Sequence, residues 1–121
     1  GELVAWMTTV SPSGQPQTSP IWFLIEDEIF VVYSLPSTPR TRNIEANKRV
    51  CLNLNSTPEG GRVVIIEGTA EIVTDAPPAF QDDAYVAKYR GPMDDLGMTP
   101  ESFSRDYPVR IHVRPTRLRA S

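Results

Sequence analysis

The residues best suited to chemistry in this sequence are two arginines, Arg40 and Arg42, which follow a hydroxyl residue and a proline. Thr38 is a favoured N-cap and Pro39 is favoured at the first helical position, so the pattern predicts a helix that begins here. The free N–H groups and partial positive charge of a helix start attract anions, and two guanidinium groups add to that attraction. The segment therefore predicts an anion site, with phosphate as its commonest ligand. The alternative is a solvated basic helix that only joins two strands.

The predicted helix lies between two apolar segments that favour strands. The run at 29–33 is rich in β-branched and aromatic residues, which predicts a strand that ends where the anion site begins. The helix can extend to about Asn47, and the strand that follows, at 50–54, places alternate residues on opposite faces. One face carries Val50, Leu52 and Leu54, and the other carries Cys51 and Asn53.

The first part of the chain predicts two further strands joined by a tight turn. Residues 3–10 are apolar on both faces, so we expect this strand to be buried on both sides. Residues 11–14 are typical of a hairpin loop, and residues 15–25 form the returning strand. Pro16 and Pro20 lack the N–H of a strand ladder, which predicts a strand edge, a bulge or a kink. With the strand before the helix, these segments make an antiparallel meander.

The second half of the chain predicts a loop at 56–61 and a long strand at 62–73. Within that strand, Gly68 indicates a bulge or a close approach to another group. A helix at 75–89 is capped by Asp75, and the pair Gly91-Pro92 ends it. The apolar face of this helix comprises Phe80, Ala84 and Ala87.

The last part of the chain completes a mainly β architecture. The pair Thr99-Pro100 predicts the start of another short helix, and the strand at 107–118 alternates between apolar and polar residues. Six antiparallel strands with short helical insertions fit a small barrel, because closing the sheet removes its exposed edges. A sandwich is the alternative. The length of 121 residues predicts a single domain, residues 1–121.

Composition excludes several classes of function. The net charge of −3 argues against a nucleic-acid binder, and no apolar run has the length of a membrane span. We expect no signal peptide and a segment missing before residue 1. Cys51 is the only cysteine and His112 the only histidine, which excludes an internal disulfide, argues against zinc and favours a reducing cytoplasm. We expect Cys51 to pack as a small apolar group and His112 to be a surface or interface group. The four aspartates at 82, 83, 94 and 95 lack the spacing of a metal site.

The ordered motifs of the chain resemble those of the flavin-binding split barrels typified by pyridoxamine 5′-phosphate oxidase. The matching segments are Tyr33-Ser34, Thr38-Pro39-Arg40 and Asn47-Lys48-Arg49-Val50. Residues 5–23 and 89–99 look still more like the actinobacterial branch that uses the deazaflavin coenzyme F420. The resemblance covers nearly the whole chain and implies a six-stranded antiparallel split β-barrel.

The resemblance also implies roles for individual residues. Arg40 and Thr38 match the family's phosphate-binding lysine and serine, whereas Pro39 replaces an arginine and so weakens the grip on a terminal phosphate. Tyr33 and Ser34 match contacts near the ribityl chain of the cofactor. The strand that lies along the flavin ring is matched by Pro20, Ile21 and Trp22. Without the resemblance, Trp22 would be interpreted as a core or interface residue. Arg42 completes the predicted cofactor-binding set as a further cation beside the helix start.

The implied function is an oxidoreductase that binds F420 and transfers hydride to a small unsaturated substrate. One alternative is an FMN-dependent oxidoreductase of the pyridoxamine-phosphate-oxidase type, and another is a non-enzymatic module that binds a cofactor, tetrapyrrole or lipid. No catalytic side chain is predicted, because the cofactor carries the hydride chemistry in such enzymes. The resemblance further implies a homodimer with the cofactor between subunits. Apolar residues available for that interface are Trp6, Ile21, Phe23 and Phe103.

Overall fold

The computed structural model describes residues 3–55 and 63–120, which form seven strands and three α-helices. The predicted loop at 56–61 lies outside the described residues. The strands are β1 (Ala5–Val10), β2 (Pro16–Ile21), β3 (Leu24–Glu26), β4 (Ile29–Ser34), β5 (Arg49–Asn55), β6 (Val63–Val73) and β7 (Val109–Ala120). The helices are α1 (Pro39–Ala46), α2 (Asp83–Asp95) and α3 (Pro100–Asp106), and a 3-10 helix lies at Ala79–Gln81.

The seven strands form one antiparallel sheet that curls into a split barrel, as the resemblance implied. Their order is β2-β1-β5-β6-β7-β4-β3. Neighbouring strands are spaced by about 4.8 Å, so the edge strands β2 and β3 would lie about 29 Å apart if the sheet were flat. Ile21 ends β2 and Leu24 begins β3. A chain can span those three residues over at most about 11 Å. The two edges must therefore come together, which requires the curl.

The predicted second strand, at 15–25, is wrong in one respect, because the structure divides it into β2 and β3. The division falls at Trp22 and Phe23, so the sheet has seven strands rather than six. At this point side chains replace a strand partner: the Phe23 N–H donates to the Tyr89 hydroxyl at 2.7 Å, and the Phe23 carbonyl accepts from Lys88 Nζ at 2.7 Å. The antiparallel pairings of the predicted meander are confirmed, because β2 pairs with β1 and β3 pairs with β4, but the break places β2 and β3 at opposite edges of the sheet. The edge position of β2 confirms the interpretation of Pro16 and Pro20 as markers of a strand edge.

Strand β1 has one buried face, and the prediction that both faces are buried was wrong. Ala5, Met7 and Thr9 are buried, whereas Trp6 is 49% exposed. The alternation is hidden in the sequence because the outward residues include a tryptophan, which is apolar. The face of β1 that carries Trp6 is therefore open to solvent in the described chain.

Two hydrophobic clusters pack against opposite faces of the curled sheet. The cluster inside the barrel includes Met7, Phe30, Leu52 and Ile111, and the second joins Tyr33 of β4 to aromatic residues of α2 and α3. Ile21, Phe23 and Phe103 are each at most 4% exposed because they belong to these clusters. Of the four apolar residues predicted to be available for a dimer interface, only Trp6 remains exposed.

Gly68 lies at an irregularity between β6 and β7, which confirms the predicted bulge and close approach. The register shifts between Glu67 and Gly68. A Cβ atom on Gly68 would lie 2.5 Å from the Arg114 carbonyl oxygen, closer than real Cβ contacts occur. The bulge therefore requires glycine at this position.

The predicted bounds of the second helix are wrong. Asp82 rather than Asp75 caps α2, because its carboxylate accepts the Tyr85 N–H, whereas Asp75 has a positive φ of 60°. The helix continues through Gly91 and Pro92 and ends at Asp95. Its buried face comprises Tyr85, Val86, Tyr89 and Met93 rather than the predicted set. The other two helix starts are confirmed: Thr38 caps α1 and Thr99 caps α3, each followed by proline.

Candidate functional site

A cavity of about 690 Å³ lies where the start of α1 meets the edge strand β2, and α3 closes its other side. The structure brings eight of the nine predicted cofactor residues into its lining, which are Pro20, Ile21, Trp22, Tyr33, Ser34, Thr38, Pro39 and Arg40. Arg42 does not line it. The volume is in the range of small-molecule and cofactor sites, which bind in largely apolar clefts with a few placed polar groups.

Among the residues that the structure describes, Arg40 is the only charged one in the lining of this cavity. Its guanidinium donates to Ser34 Oγ at 3.1 Å, to Ser19 Oγ at 2.6 Å and to the Pro20 carbonyl at 3.2 Å. No carboxylate of the described residues forms an ion pair with it, and its Nε is buried without a hydrogen-bond partner. Burial lowers the pKa of Arg40 from its ordinary value, although an arginine stays charged. The site therefore holds a half-buried cation without a counter-ion in the described chain.

The start of α1 directs its two arginines to different places. Thr38 Oγ1 accepts the Thr41 N–H at 3.2 Å, which fixes the first turn of the helix. Arg42 lies on the exposed side of that turn and donates to the Ser37 carbonyl at 2.6 Å. The structure thus separates the predicted pair, and only Arg40 reaches the cavity.

A buried amide on α1 organises the wall beside Arg40. Asn43 is 3% exposed, and its Nδ2 donates to Thr9 Oγ1 at 2.9 Å and to Gln17 Oε1 at 2.7 Å. Thr9 and Gln17 are register partners across the β1–β2 hairpin, and both line the cavity. Together with Arg40, Ser19 and Ser34 these residues form what we call the polar end of the cavity.

The opposite side of the cavity is a wall of stacked rings. Trp22 is stacked on Tyr89 at a centroid distance of 4.6 Å and on Phe103 at 5.6 Å, and Phe103 is stacked on Tyr107 at 4.6 Å. Trp22, Phe103 and Tyr107 line the cavity, together with Met98 and Leu96. We call these five residues the apolar wall. Trp22 is therefore both a packed residue and a lining residue, which combines the two interpretations that the sequence left open.

Tyr33 connects the cavity to a charged network behind the sheet. Its hydroxyl accepts from Arg110 at 2.9 Å, and Arg110 also forms an ion pair with Glu26 at 3.5 Å. The Nε of Arg110 donates to Nε2 of His112 at 2.8 Å. Burial, followed by the positive charge of Arg110, lowers the pKa of His112 below its ordinary value. Burial likewise raises the pKa of Tyr33, so its hydroxyl stays protonated near neutral pH.

Sequence interpretation missed several residues of the lining. On the polar side these are Thr9, Gln17, Thr18 and Ser19, and elsewhere they are Val4, Leu35, Leu96, Met98, Phe103 and Tyr107. A signal for the polar residues existed, because Gln17 and Ser19 alternate on β2 with the hairpin register set by the turn at 11–14. No local signal links α3 to the cavity.

Two classes of site are not seen in the described chain. No group of three or more histidine, cysteine, aspartate or glutamate residues within 3–55 and 63–120 is arranged to hold a metal ion. No α-helix within the same ranges combines the length and apolar character needed to cross a bilayer.

Comparison with known proteins identifies relatives of the whole chain. The family model described as pyridoxamine 5′-phosphate oxidase matches residues 1–120. Among solved structures the chain is similar to an F420 reductase, with 29% sequence identity, a TM-score of 0.77, and coverage of 97% of this chain and 89% of that chain. No curated protein matches.

Two further solved structures share the fold at lower identity. A FAD-binding protein from Mesorhizobium loti is 18% identical with a TM-score of 0.74, covering 99% of this chain and 86% of that chain. The heme storage protein from Vibrio cholerae is 16% identical with a TM-score of 0.69, covering 97% of this chain and 84% of that chain. At these identities the two likenesses show the fold alone.

Proposed function

The chain belongs to the pyridoxamine 5′-phosphate oxidase family, and we propose that it is an oxidoreductase that binds the deazaflavin F420 at the cavity beside Arg40. Its substrate is a small unsaturated molecule, to which a hydride is transferred. When bound, the cofactor supplies the hydride chemistry, and the residues of the chain bind, orient and exclude water. The 29% identity to an F420 reductase supports this choice of cofactor.

The observation that carries the proposal is the uncompensated charge of Arg40. A half-buried guanidinium surrounded only by neutral oxygen atoms is costly, because burial removes water without supplying an opposite charge. An anionic group bound in the cavity would supply that charge through short, charge-assisted hydrogen bonds. Arg40 therefore fits the phosphate of a cofactor.

The apolar wall fits the other half of such a cofactor. Trp22, Phe103 and Tyr107 line the side of the cavity opposite the polar end with aromatic rings. A flat ring system bound against them would be shielded from water, as hydride transfer requires. A molecule with a flat ring at one end and a phosphate group farther along matches this arrangement of an apolar wall and a single cation.

The single cation favours F420 over FMN. FMN ends in a phosphate dianion, which suits several convergent cations, whereas F420 carries an internal phosphodiester with one negative charge. Pro39 offers neither charge nor N–H where the family has an arginine, and Arg42 is directed away from the cavity. Arg40 alone thus matches the charge of a diester better than that of a monoester.

A turnover assay tests the proposed activity. Reduced F420 should be oxidised by the protein when an unsaturated acceptor is added, and the rate should rise with protein concentration. Reduced FMN in the same assay tests the flavin alternative. Stoichiometric cofactor binding with no oxidation across a panel of acceptors would favour a non-enzymatic module instead.

We also propose a homodimer in which a second subunit covers the cavity. Val4, Leu35 and Leu96 line the cavity yet are 38%, 44% and 65% exposed, so its rim is apolar and open to solvent. Trp6 adds an exposed aromatic ring on β1. A second copy of the chain would bury this surface. Sedimentation at micromolar concentration should give the mass of a dimer, and a monomer at that concentration would contradict a shared site.

A further inference from the structure

We infer that Asn43 is a positioning residue that directs hydrogen-bond donors of the polar end toward the phosphate ester that the proposed function assigns to it. This inference rests on the proposed function and adds a residue that is predicted neither by the sequence motifs nor by the lining of the cavity. Asn43 is a positioning residue, because it does not line the cavity itself.

The two serine hydroxyls that accept from Arg40 keep their own hydrogen atoms for another acceptor. A guanidinium has five N–H donors and no acceptor, so Ser34 Oγ and Ser19 Oγ must both use lone pairs to accept from it. The hydrogen atoms of the two hydroxyls are then left for another acceptor. The described residues provide none: neither hydroxyl donates to any protein atom there, although Ser34 is only 1% exposed. Both serines line the cavity, where a ligand oxygen can accept.

The side-chain amide of Asn43 donates to two residues of the cavity lining. Its Nδ2 carries two hydrogens, which are directed to Thr9 Oγ1 and Gln17 Oε1. The carbonyl oxygen of the Gln17 side chain is therefore occupied, so its NH₂ group is directed away from Asn43. Thr9 is 2% exposed, and its hydroxyl hydrogen likewise has no acceptor among the described residues. Asn43 thus leaves two more donors available at the polar end, which are the Thr9 hydroxyl and the Gln17 NH₂ group.

These donors should make the polar end bind ligand groups that accept hydrogen bonds in preference to groups that donate them. A group that only accepts, such as an ionised phosphate ester, can satisfy Arg40 and the surrounding donors together. A hydroxyl or amine of a ligand carries no negative charge to offset that of Arg40 and satisfies fewer of these donors, so it gains less from the polar end. The polar end should therefore increase affinity for phosphate-bearing ligands and add little for the same ring system without phosphate.

The substitution Asn43→Asp tests the inference by reversing the polarity. A carboxylate can only accept, so Thr9 and Gln17 would donate to it, and the Gln17 carbonyl would face the ligand instead of its NH₂ group. Asn47→Asp is the matched control, since it adds the same charge on the next turn. Asn47 is exposed, does not line the cavity, and uses its side-chain oxygen to accept from the Arg49 N–H, which an aspartate can also do.

The probes are two pairs that differ in phosphate, namely FMN with riboflavin, and F420 with its chromophore lacking the phosphate and the tail. Dissociation constants are measured by fluorescence, with circular dichroism to establish folding. We expect Asn43→Asp to weaken phosphate-bearing probes roughly tenfold or more, and phosphate-free probes by less than about twofold. Asn47→Asp should change both by less than about twofold. If Asn43 were instead an acceptor in the native chain, Asn43→Asp would be tolerated and the inference overturned.

A second variant keeps the inference testable if Asn43→Asp does not fold. Gln17→Met preserves the length of an exposed side chain and removes its donor, so it should weaken only the phosphate-bearing member of each pair, by about three- to tenfold. Equal weakening of both members would indicate a structural role and overturn the inference. The inference is also overturned if the wild-type protein binds FMN no more tightly than riboflavin, and F420 no more tightly than its phosphate-free chromophore. Phosphate discrimination without any turnover would sustain the inference while the proposed activity fails.

Discussion

The polar end and the apolar wall of the cavity differ in how the chain builds them. The polar end comes from the β1–β2 hairpin, the end of β4 and the first two turns of α1, and hydrogen bonds hold it together. The apolar wall joins Trp22, in the break between two strands, to side chains of α2 and α3 that lie far along the chain, and ring stacking holds it together. One region is a local arrangement of polar groups, and the other is part of the hydrophobic core.

The polar end and the apolar wall contribute differently to a cofactor site, because one provides recognition and the other provides both stability and binding surface. Hydrogen bonds among polar groups add little net stability, since folding exchanges them for bonds to water, so the polar end is free to serve recognition. Stacked rings contribute to folding and to binding together, because the same apolar surface does both. Substitution of Arg40 should therefore change affinity alone, whereas substitutions in the apolar wall should change affinity and stability.

The largest effect is expected from truncating the central ring of the apolar wall. Trp22→Ala removes contacts with Tyr89 and Phe103 and should lower the free energy of unfolding by about 2–4 kcal/mol, less than the full cost of a buried tryptophan because Trp22 is half-buried. Trp6→Ala is the matched control when both variants are measured at concentrations too low for the proposed dimer. Trp6 is exposed on β1 of the single chain, so the loss there should stay within about 0.5 kcal/mol. Urea denaturation measures both. Equal losses would remove the distinction between the two regions.

A loss of affinity without a loss of stability is expected at the polar end. Arg40→Ala removes a charge-assisted bond of about 1.5–3 kcal/mol and should weaken a phosphate-bearing cofactor roughly ten- to a hundredfold. Its free energy of unfolding should change by less than about 0.5 kcal/mol, because the charge has no counter-ion in the described chain.

Two arginines near Arg40 serve as controls for that substitution. Arg42→Ala removes the same charge from the same helical turn but outside the cavity lining, and Arg49→Ala removes a charge at the start of β5. Neither control should weaken cofactor binding more than about threefold. Added salt should weaken cofactor binding less steeply for Arg40→Ala than for the wild type. Equal losses from all three substitutions would mean that the basic residues act as a diffuse field.

The smallest effect is a shallow pH dependence of stability set by His112, whose Nε2 accepts from Arg110. The pKa of His112 is lowered in the folded state by burial and by Arg110, so the unfolded chain binds the proton more readily. Stability should therefore fall as pH decreases through the ordinary value of 6.5. His112→Gln should remove that slope, as measured by the thermal midpoint across this range. A slope that persists unchanged in His112→Gln would assign it to another group.

The same contrast explains how much the sequence predicts. Thr38, Pro39 and Arg40 were found because a cap, a proline and a basic residue are consecutive and carry their meaning locally. Asn43 follows Arg40 by three residues, which places both on one face of α1. The register of the β1–β2 hairpin similarly pairs Thr9 with Gln17, but the contact of this pair with Asn43, 34 and 26 residues away, forms only when α1 packs beside the hairpin.

The apolar wall depends on contacts that no local pattern carries. Phe103 reaches Trp22, and Tyr107 stacks on Phe103, only when α3 packs on the outside of the barrel, about eighty residues farther along the chain. The break between β2 and β3 has the same origin, because Tyr89 and Lys88 supply the partners of the Phe23 backbone. A small antiparallel barrel was predictable, with a sandwich as the alternative, because strand alternation and turn residues repeat along the chain, and the family resemblance implied its split form. The bounds of α2 were not predictable, since the proline pair near Asp75 imitates a helix start.

The most direct test of the account is a fluorescence titration of the wild-type protein with F420 and with FMN. The single cation of the cavity, with Pro39 beside it, predicts a lower dissociation constant for F420 than for FMN, and a colourless preparation from a host that lacks deazaflavin. Binding should weaken as salt is raised, because part of the attraction is between charges. A preparation that is stoichiometrically yellow and holds FMN at nanomolar affinity would contradict the assignment of F420 to this cavity.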